Sequence, residues 1–182
     1  MPVSLEIMTM REQHHPDNPA LRNPSLRRES FVALGTLGAL TTGTAVLGAS
    51  ASNSGQRWYR RLRKPGFTPP PWVFGPAWTV LYGLMSFSAW RVWNRPAGPS
   101  RSWALALWGV QLGFNALWSP LFFGKHRPRA ALADIAALGV SLAGYTAVAR
   151  QVDRGAAWMM APYLAWVGFA SALNEEIVRL NP

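Results

Sequence analysis

Four stretches of this chain hold no Asp, Glu, Lys or Arg: residues 31–56, 65–90, 102–124 and 155–174. A fifth, 130–149, holds only Asp134. Each approaches or exceeds the ~20 residues that a helix needs to cross the hydrocarbon core of a bilayer. A spanning segment must satisfy its own backbone hydrogen bonds, and a helix does so. The pattern therefore predicts an all-α, integral membrane bundle of five transmembrane helices at about 31–52, 77–93, 102–122, 129–149 and 156–178. A mean hydropathy of +0.04 conceals this, because the charges are gathered between the runs.

The charges themselves read as loop residues. The net charge of +10 sits beside apolar spans, where anionic lipid headgroups favour it, so it points to a bilayer and not to nucleic acid. The 18 Lys and Arg residues divide evenly between the two sides of a five-span chain, so the positive-inside rule gives no orientation. Residues 1–30 are polar and without period, which predicts a disordered extension before a membrane domain at 31–182. Arg27-Arg28 ahead of an apolar run resembles an export signal. Removing it would still leave four spans, so the segment is read as a retained first helix.

Between the first two helices lies a stretch that begins Trp58-Tyr59, continues through a basic run and then carries Pro65, Pro69, Pro70, Pro71 and Pro76. Proline fixes φ and lacks an N–H, so this stretch predicts a stiff Pro/Trp-rich loop that caps an apolar pocket. Trp58, Phe67, Trp72 and Phe74 are expected to face that pocket from the loop. Trp78, Tyr82 and Met85 share one face of the second helix. Gln111, Asn115 and Trp118 share a face of the third, and Tyr163, Trp166, Ala170, Leu173 and Asn174 a face of the fifth. Amides in hydrocarbon must be paired, so Gln111 and Asn115 read either as interhelical glue or as groups that orient a ligand. Asp134 reads as a shallow acid paired with Lys125, Arg127 or Arg129. Pro162 is expected to kink the fifth helix.

Ten tryptophans stand out. Trp90, Trp93 and Trp103 fall at span ends and suit the membrane interface; Trp78, Trp118 and Trp166 fall inside spans and suit a pocket. With no cysteine, a thiolate metal site and a disulfide are excluded. The histidines, His14, His15 and His126, lie in tail or loop, so no metal site and no catalytic triad is expected. His14-His15 could form at most a weak two-ligand site.

The blocks Trp58–Trp78, Gln111-Leu112-x-x-Asn115-x-x-Trp118, Phe122-Phe123 and Pro162-Tyr163-Leu164-x-Trp166 running to Leu173-Asn174 resemble, in order, the TspO/MBR family of tryptophan-rich sensory and translocator proteins. The resemblance covers about residues 31–182. It implies a five-helix bundle that forms homodimers, and a pocket for porphyrins, haem or similar flat apolar ligands. By position, it assigns ligand binding to Trp58, Pro65, Trp78, Tyr82, Asn115, Trp166 and Ala170, beside which the faces above place Gln111, Trp118 and Tyr163. It implies a membrane sensor linked to tetrapyrrole or stress regulation in a bacterial-type plasma membrane. The alternatives are a transporter or a light-dependent porphyrin-degrading enzyme using Trp78 and Trp166. No obligatory cofactor is implied. Gly66, where many bacterial members carry Trp, departs from the pattern. So does Glu175, at a place where animal members carry a sterol-contact Tyr.

Overall fold

The computed structural model describes residues 24–182. Five long helices make up most of it: α1 (Pro24–Arg61), α2 (Phe74–Trp93), α3 (Pro99–Ser119), α4 (Pro128–Val152) and α6 (Ala161–Leu180). A short α5 (Arg154–Trp158) precedes the last of them. A 3₁₀ turn (Pro71–Val73) leads into α2, and a π-turn (Pro120–Gly124) extends α3. There is no strand among the described residues. The five-helix expectation therefore holds. Three stretches are long and apolar enough to cross a membrane, Arg27–Arg61, Pro128–Val152 and Arg154–Leu180. α2 and α3, of 20 and 21 residues, carry the Trp, Tyr, Gln and Asn side chains that lower hydropathy.

Element ends depart from expectation for physical reasons. α1 continues nine residues past residue 52, to Arg61. Asn53-Ser54-Gly55-Gln56 is polar, but polarity does not break a helix; the first true breaker is Pro65, and the helix ends just before it. Trp58 and Tyr59 consequently belong to a helix and not to the loop. At the other end α1 begins at Pro24, so residues 24–30 are helical; the remainder of the predicted disordered tail, with His14 and His15, lies outside the described residues. Pro99 and Pro128 each stand at a helix start, where the missing N–H costs nothing. After Pro120 the ladder widens, with the Lys125 N–H donating to the Pro120 carbonyl at 2.8 Å. Pro162 does not kink a continuous helix. The backbone breaks at Met159 and Met160 instead, which puts Pro162 in the first turn of α6.

The bundle is apolar both inside and out. α3 and α4 form the most extensive pair, and α1 packs on α2, on α3 and on the π-turn. The core holds Met85, Trp108, Leu142, Tyr145, Met160 and Tyr163, each buried. Large apolar side chains face outward on four of the five long helices: Phe31 and Val46 on α1, Val80 and Phe87 on α2, Trp103 and Val110 on α3, Val140 on α4, and also Trp158 on the short α5. Contiguous apolar surface of this kind suits lipid. α1 meets the π-turn closely at Gly55, where a Cβ would stand 2.7 Å from the Phe123 Cβ and also meet the Phe123 carbonyl.

Polar fasteners hold one end of the bundle. Asp153 accepts from the Ala156 N–H at 2.9 Å, capping α5, and from Arg91 at 3.0 Å. It also pairs with Arg95. Burial alone would raise the Asp153 carboxyl, but the Ala156 N–H and the Arg95 and Arg91 guanidiniums outweigh it and hold it at about 2. Nearby, the Tyr145 hydroxyl lies 2.6 Å from Ser88 Oγ, and the Ser88 hydroxyl donates to the Ala156 carbonyl at 2.8 Å.

Candidate functional site

α2 and α6 hardly approach each other by backbone. Side chains bridge the gap between them, and those side chains are the ones singled out by the sequence. Trp78 and Tyr82, one turn apart on α2, stack with ring centroids 5.2 Å apart. Trp78 meets Tyr163 edge to face at 6.2 Å and Trp166 at 6.1 Å, both on α6. Phe74, at the start of α2, adds an edge-to-face contact with Trp166 at 5.8 Å. Such pairs are worth about 0.5–1.5 kcal/mol each beyond burial.

α3 supplies the polar centre. The Tyr82 hydroxyl donates to Asn115 Oδ1 at 2.9 Å, and Asn115 Nδ2 donates to the Tyr163 hydroxyl at 2.6 Å. Asn115 is thus the interhelical glue that one of the two readings expected, linking α2, α3 and α6. Gln111, one turn away and fully buried, has neither amide atom partnered; the expected pairing is absent there. Asp134 also departs from expectation. It is buried, and neither carboxylate oxygen has a partner. Arg127 and Arg129 are exposed at the helix start, so a salt bridge with them does not form.

Trp118 and Trp58 belong to a second cluster. Trp118 stacks on Phe122 at 5.0 Å and donates from Nε1 to Asn174 Oδ1 at 3.2 Å; Asn174 in turn donates to the Pro128 carbonyl at 2.9 Å. Trp58, carried by the last turns of α1, meets Phe122 edge to face at 5.5 Å and stacks on His126 at 4.5 Å. Its contacts are with the π-turn and the segment after it, because the helical extension of α1 carries it there. His126 adopts a φ of 54°, a conformation uncommon for a residue with a Cβ. Among the described residues no group of three or more His, Asp or Glu side chains gathers as a metal site would require.

The loop lies over the same end. Pro65 is buried, and its carbonyl accepts from the Thr68 N–H at 3.0 Å and the Thr68 hydroxyl at 2.8 Å. Phe67 packs edge to face on Phe169 of α6 at 6.3 Å. Trp72 is 75% exposed and faces away. Arg63 and Asn181 exchange two hydrogen bonds, of 3.0 and 2.9 Å, tying the loop to the chain end. Ala170 is half-buried and packs against the main core beside Trp166. Sequence reasoning passed over the Arg63–Asn181 clasp and the Asp153 cluster. Asp153 alone carries a signal, standing three residues ahead of a helical N–H in a capping pattern.

These features define a class: an all-helical bundle with an apolar outer surface and an aromatic site wired by one amide. The pattern of the TspO/MBR family matches residues 32–180, and the chain belongs to that family. It is 41% identical to a tryptophan-rich protein TspO of Archaeoglobus fulgidus, over 84% of this chain and 92% of the relative. It is 43% identical to a tryptophan-rich sensory protein of Cereibacter sphaeroides, over 68% and 77%. It is 37% identical to the translocator protein of Sus scrofa, over 87% and 92%.

Proposed function

We propose that the chain is a five-pass membrane receptor, set in a plasma membrane, that takes flat apolar ligands of the tetrapyrrole class between α2 and α6. The observation that carries this reading is the α2–α6 gap, spanned by Trp78, Tyr82, Tyr163 and Trp166. A mostly apolar site with a few fixed polar groups suits a small molecule. The names of two relatives, a sensory protein and a translocator protein, agree with a ligand-responsive role. The outward Val80, Phe87, Trp103 and Val110 support lipid contact for α2 and α3 as well as for the three more apolar stretches. Rings meeting edge to face at about 6 Å leave no slot for a flat ligand, so binding moves Trp78 and Trp166 apart. Phe67, Phe74 and the clasped loop close over the opening. A homodimer is part of the proposal and rests on the family resemblance.

The adjacency of Trp78 and Trp166 also suits a photochemical enzyme that consumes porphyrin. Loss of porphyrin absorbance under light, absent in the dark, distinguishes that activity from reversible binding.

Titration of the detergent-purified protein with protoporphyrin, free and iron-loaded, tests the receptor reading. Axial iron ligands in proteins are His, Cys, Met or Tyr. Here Met85 is fully buried, and the Tyr82 and Tyr163 hydroxyls are bonded to Asn115. Stacking therefore dominates, and the two porphyrins bind within tenfold of each other. A strong preference for the iron form, with a spectrum showing axial ligation, contradicts the stacking arrangement.

A further inference from the structure

Asp153 follows the end of α4. At the other end of that helix the last turns of α1, the start of α4 and the end of α6 meet. Trp58 of α1 stacks on His126 at 4.5 Å. Arg63, just past the end of α1, exchanges hydrogen bonds of 3.0 and 2.9 Å with the Asn181 side chain. Beside these contacts opens a cleft of about 400 Å³, whose walls include His126, Arg127, Pro128, Arg129, Val178 and Asn181.

The cleft is cationic, and its cations lack carboxylate partners. Ion pairs among the described residues join Arg91 and Arg95 to Asp153, and Arg179 to Glu176. None reaches Arg63, Arg127 or Arg129, which are all exposed. Asn181 spends its side chain on Arg63 and on the Ile177 carbonyl, 2.9 Å away, and so acts as a wall. The Arg127 backbone is held on both sides: its N–H donates to the Leu121 carbonyl at 3.0 Å, and its carbonyl accepts from the Ala131 N–H at 3.0 Å. Like charges fixed side by side repel one another and draw in an anion. Guanidinium groups meet phosphate oxygens through paired N–H donors.

Depth names the source of that anion. Val140, at the middle of α4, is 76% exposed and suits lipid. The cleft begins at Pro128, the first residue of the same helix. At about 1.5 Å of rise per residue, that is about 18 Å from Val140. Half the hydrocarbon core of a bilayer is about 15 Å, so the cleft lies at the level of the headgroups. Trp72, 75% exposed on the loop at the same end, suits that interface as well. We infer that the cleft seats the headgroup of one anionic phospholipid, with Arg127 and Arg129 holding its phosphate. The inference rests on the membrane reading above and is independent of the α2–α6 ligand site. A zwitterionic lipid offers the same phosphate, but its own ammonium meets the cations, so the cleft selects a lipid of net negative charge. Basic pockets between transmembrane helices favour such headgroups.

Native mass spectrometry of the full-length protein in a neutral detergent tests this, with dioctanoyl phosphatidylglycerol, dioctanoyl phosphatidylcholine or inorganic phosphate added. A single phosphatidylglycerol per chain is expected, bound at least tenfold more tightly than phosphatidylcholine, with inorganic phosphate weaker than either. The double variant Arg127→Gln, Arg129→Gln is expected to abolish the preference. The control Arg150→Gln, Arg154→Gln, two exposed arginines at the other end of α4, is expected to keep it. The wild-type comparison needs no variant, so it stands even if the first double variant fails to fold. Equal affinities for the two lipids, several equal phosphatidylglycerol sites, or a preference that survives in the first double variant each overturn the inference. So does an equal loss in both double variants, which would mean that overall charge and not the cleft attracts the lipid. Phosphate bound as tightly as phosphatidylglycerol assigns the cleft to a soluble anion and overturns the lipid. A chain that stays monodisperse without detergent overturns the membrane reading and the inference together.

Discussion

Asn115 connects three helices because both ends of its amide are used. It accepts from Tyr82 and donates to Tyr163. Asn115→Ala strands two tyrosine hydroxyls, and an unmatched buried group costs about 1–3 kcal/mol. The expected result is a destabilisation in that range by thermal unfolding in detergent; a variant as stable as wild type would mean that water replaces the amide freely. Asp153 acts at the opposite end through charge. Its folded carboxyl is held at about 2, below the ordinary 3.8, so its contribution is present above about pH 4 and is lost as pH falls toward 2. Asp153→Asn should unfold more easily at neutral pH and show a flatter loss of stability between pH 4 and 2. Arg91 and Arg95 are 34% and 47% exposed, so solvent screening keeps the effect at the lower end of the ~1.5–3 kcal/mol of a charged hydrogen bond. Unchanged acid sensitivity in Asp153→Asn would show that other carboxyls control it. These two residues differ in how far they were legible. An amide within an apolar helix announces that it needs a partner, whereas the partners of Asp153 lie 58 and 62 positions away and only the folded chain brings them near.

Among the helices, the spans could be read from charge because lipid tolerates few unpaired charges. Their ends could not, because a polar run after an apolar one can be loop or emerging helix. α1 took the second course, and with it Trp58 moved from the lid to the π-turn cluster, against Phe122 and His126. At 38 residues and about 1.5 Å of rise per residue, α1 is far longer than a bilayer core needs. Its overhang packs on the π-turn through Gly55. Glycine normally weakens a helix, and Gly→Ala in a helix interior gains about 1 kcal/mol. At Gly55 the clash with the Phe123 backbone reverses the sign, and Gly55→Ala should destabilise by about 1–3 kcal/mol. Gly43, on the same helix with open space around its Cβ position, is the control and should be neutral or stabilising. Equal effects at the two positions would mean that the α1–π-turn contact does not form in the folded protein.

Taken whole, the molecule puts apolar side chains outside and its matched polar groups inside, the arrangement that a bilayer selects. Five crossings, as proposed, would place the chain ends on opposite faces. Reporter domains fused near residue 20 and after residue 182 should therefore report opposite sides of the membrane; both on one side would exclude five crossings. What the proposed site would bind depends on the space between α2 and α6, which Trp78, Tyr82, Tyr163 and Trp166 span. The most direct test is the quench of intrinsic tryptophan fluorescence by metal-free protoporphyrin, compared in wild type and in the Trp78→Phe, Trp166→Phe double variant, with tenfold or greater loss of affinity also read from the porphyrin Soret band. If the ligand lies between α2 and α6, the double variant loses most of the quench and the affinity falls. If the quench and the affinity both persist, the porphyrin sits elsewhere, and the α2–α6 site is not where this protein receives its ligand.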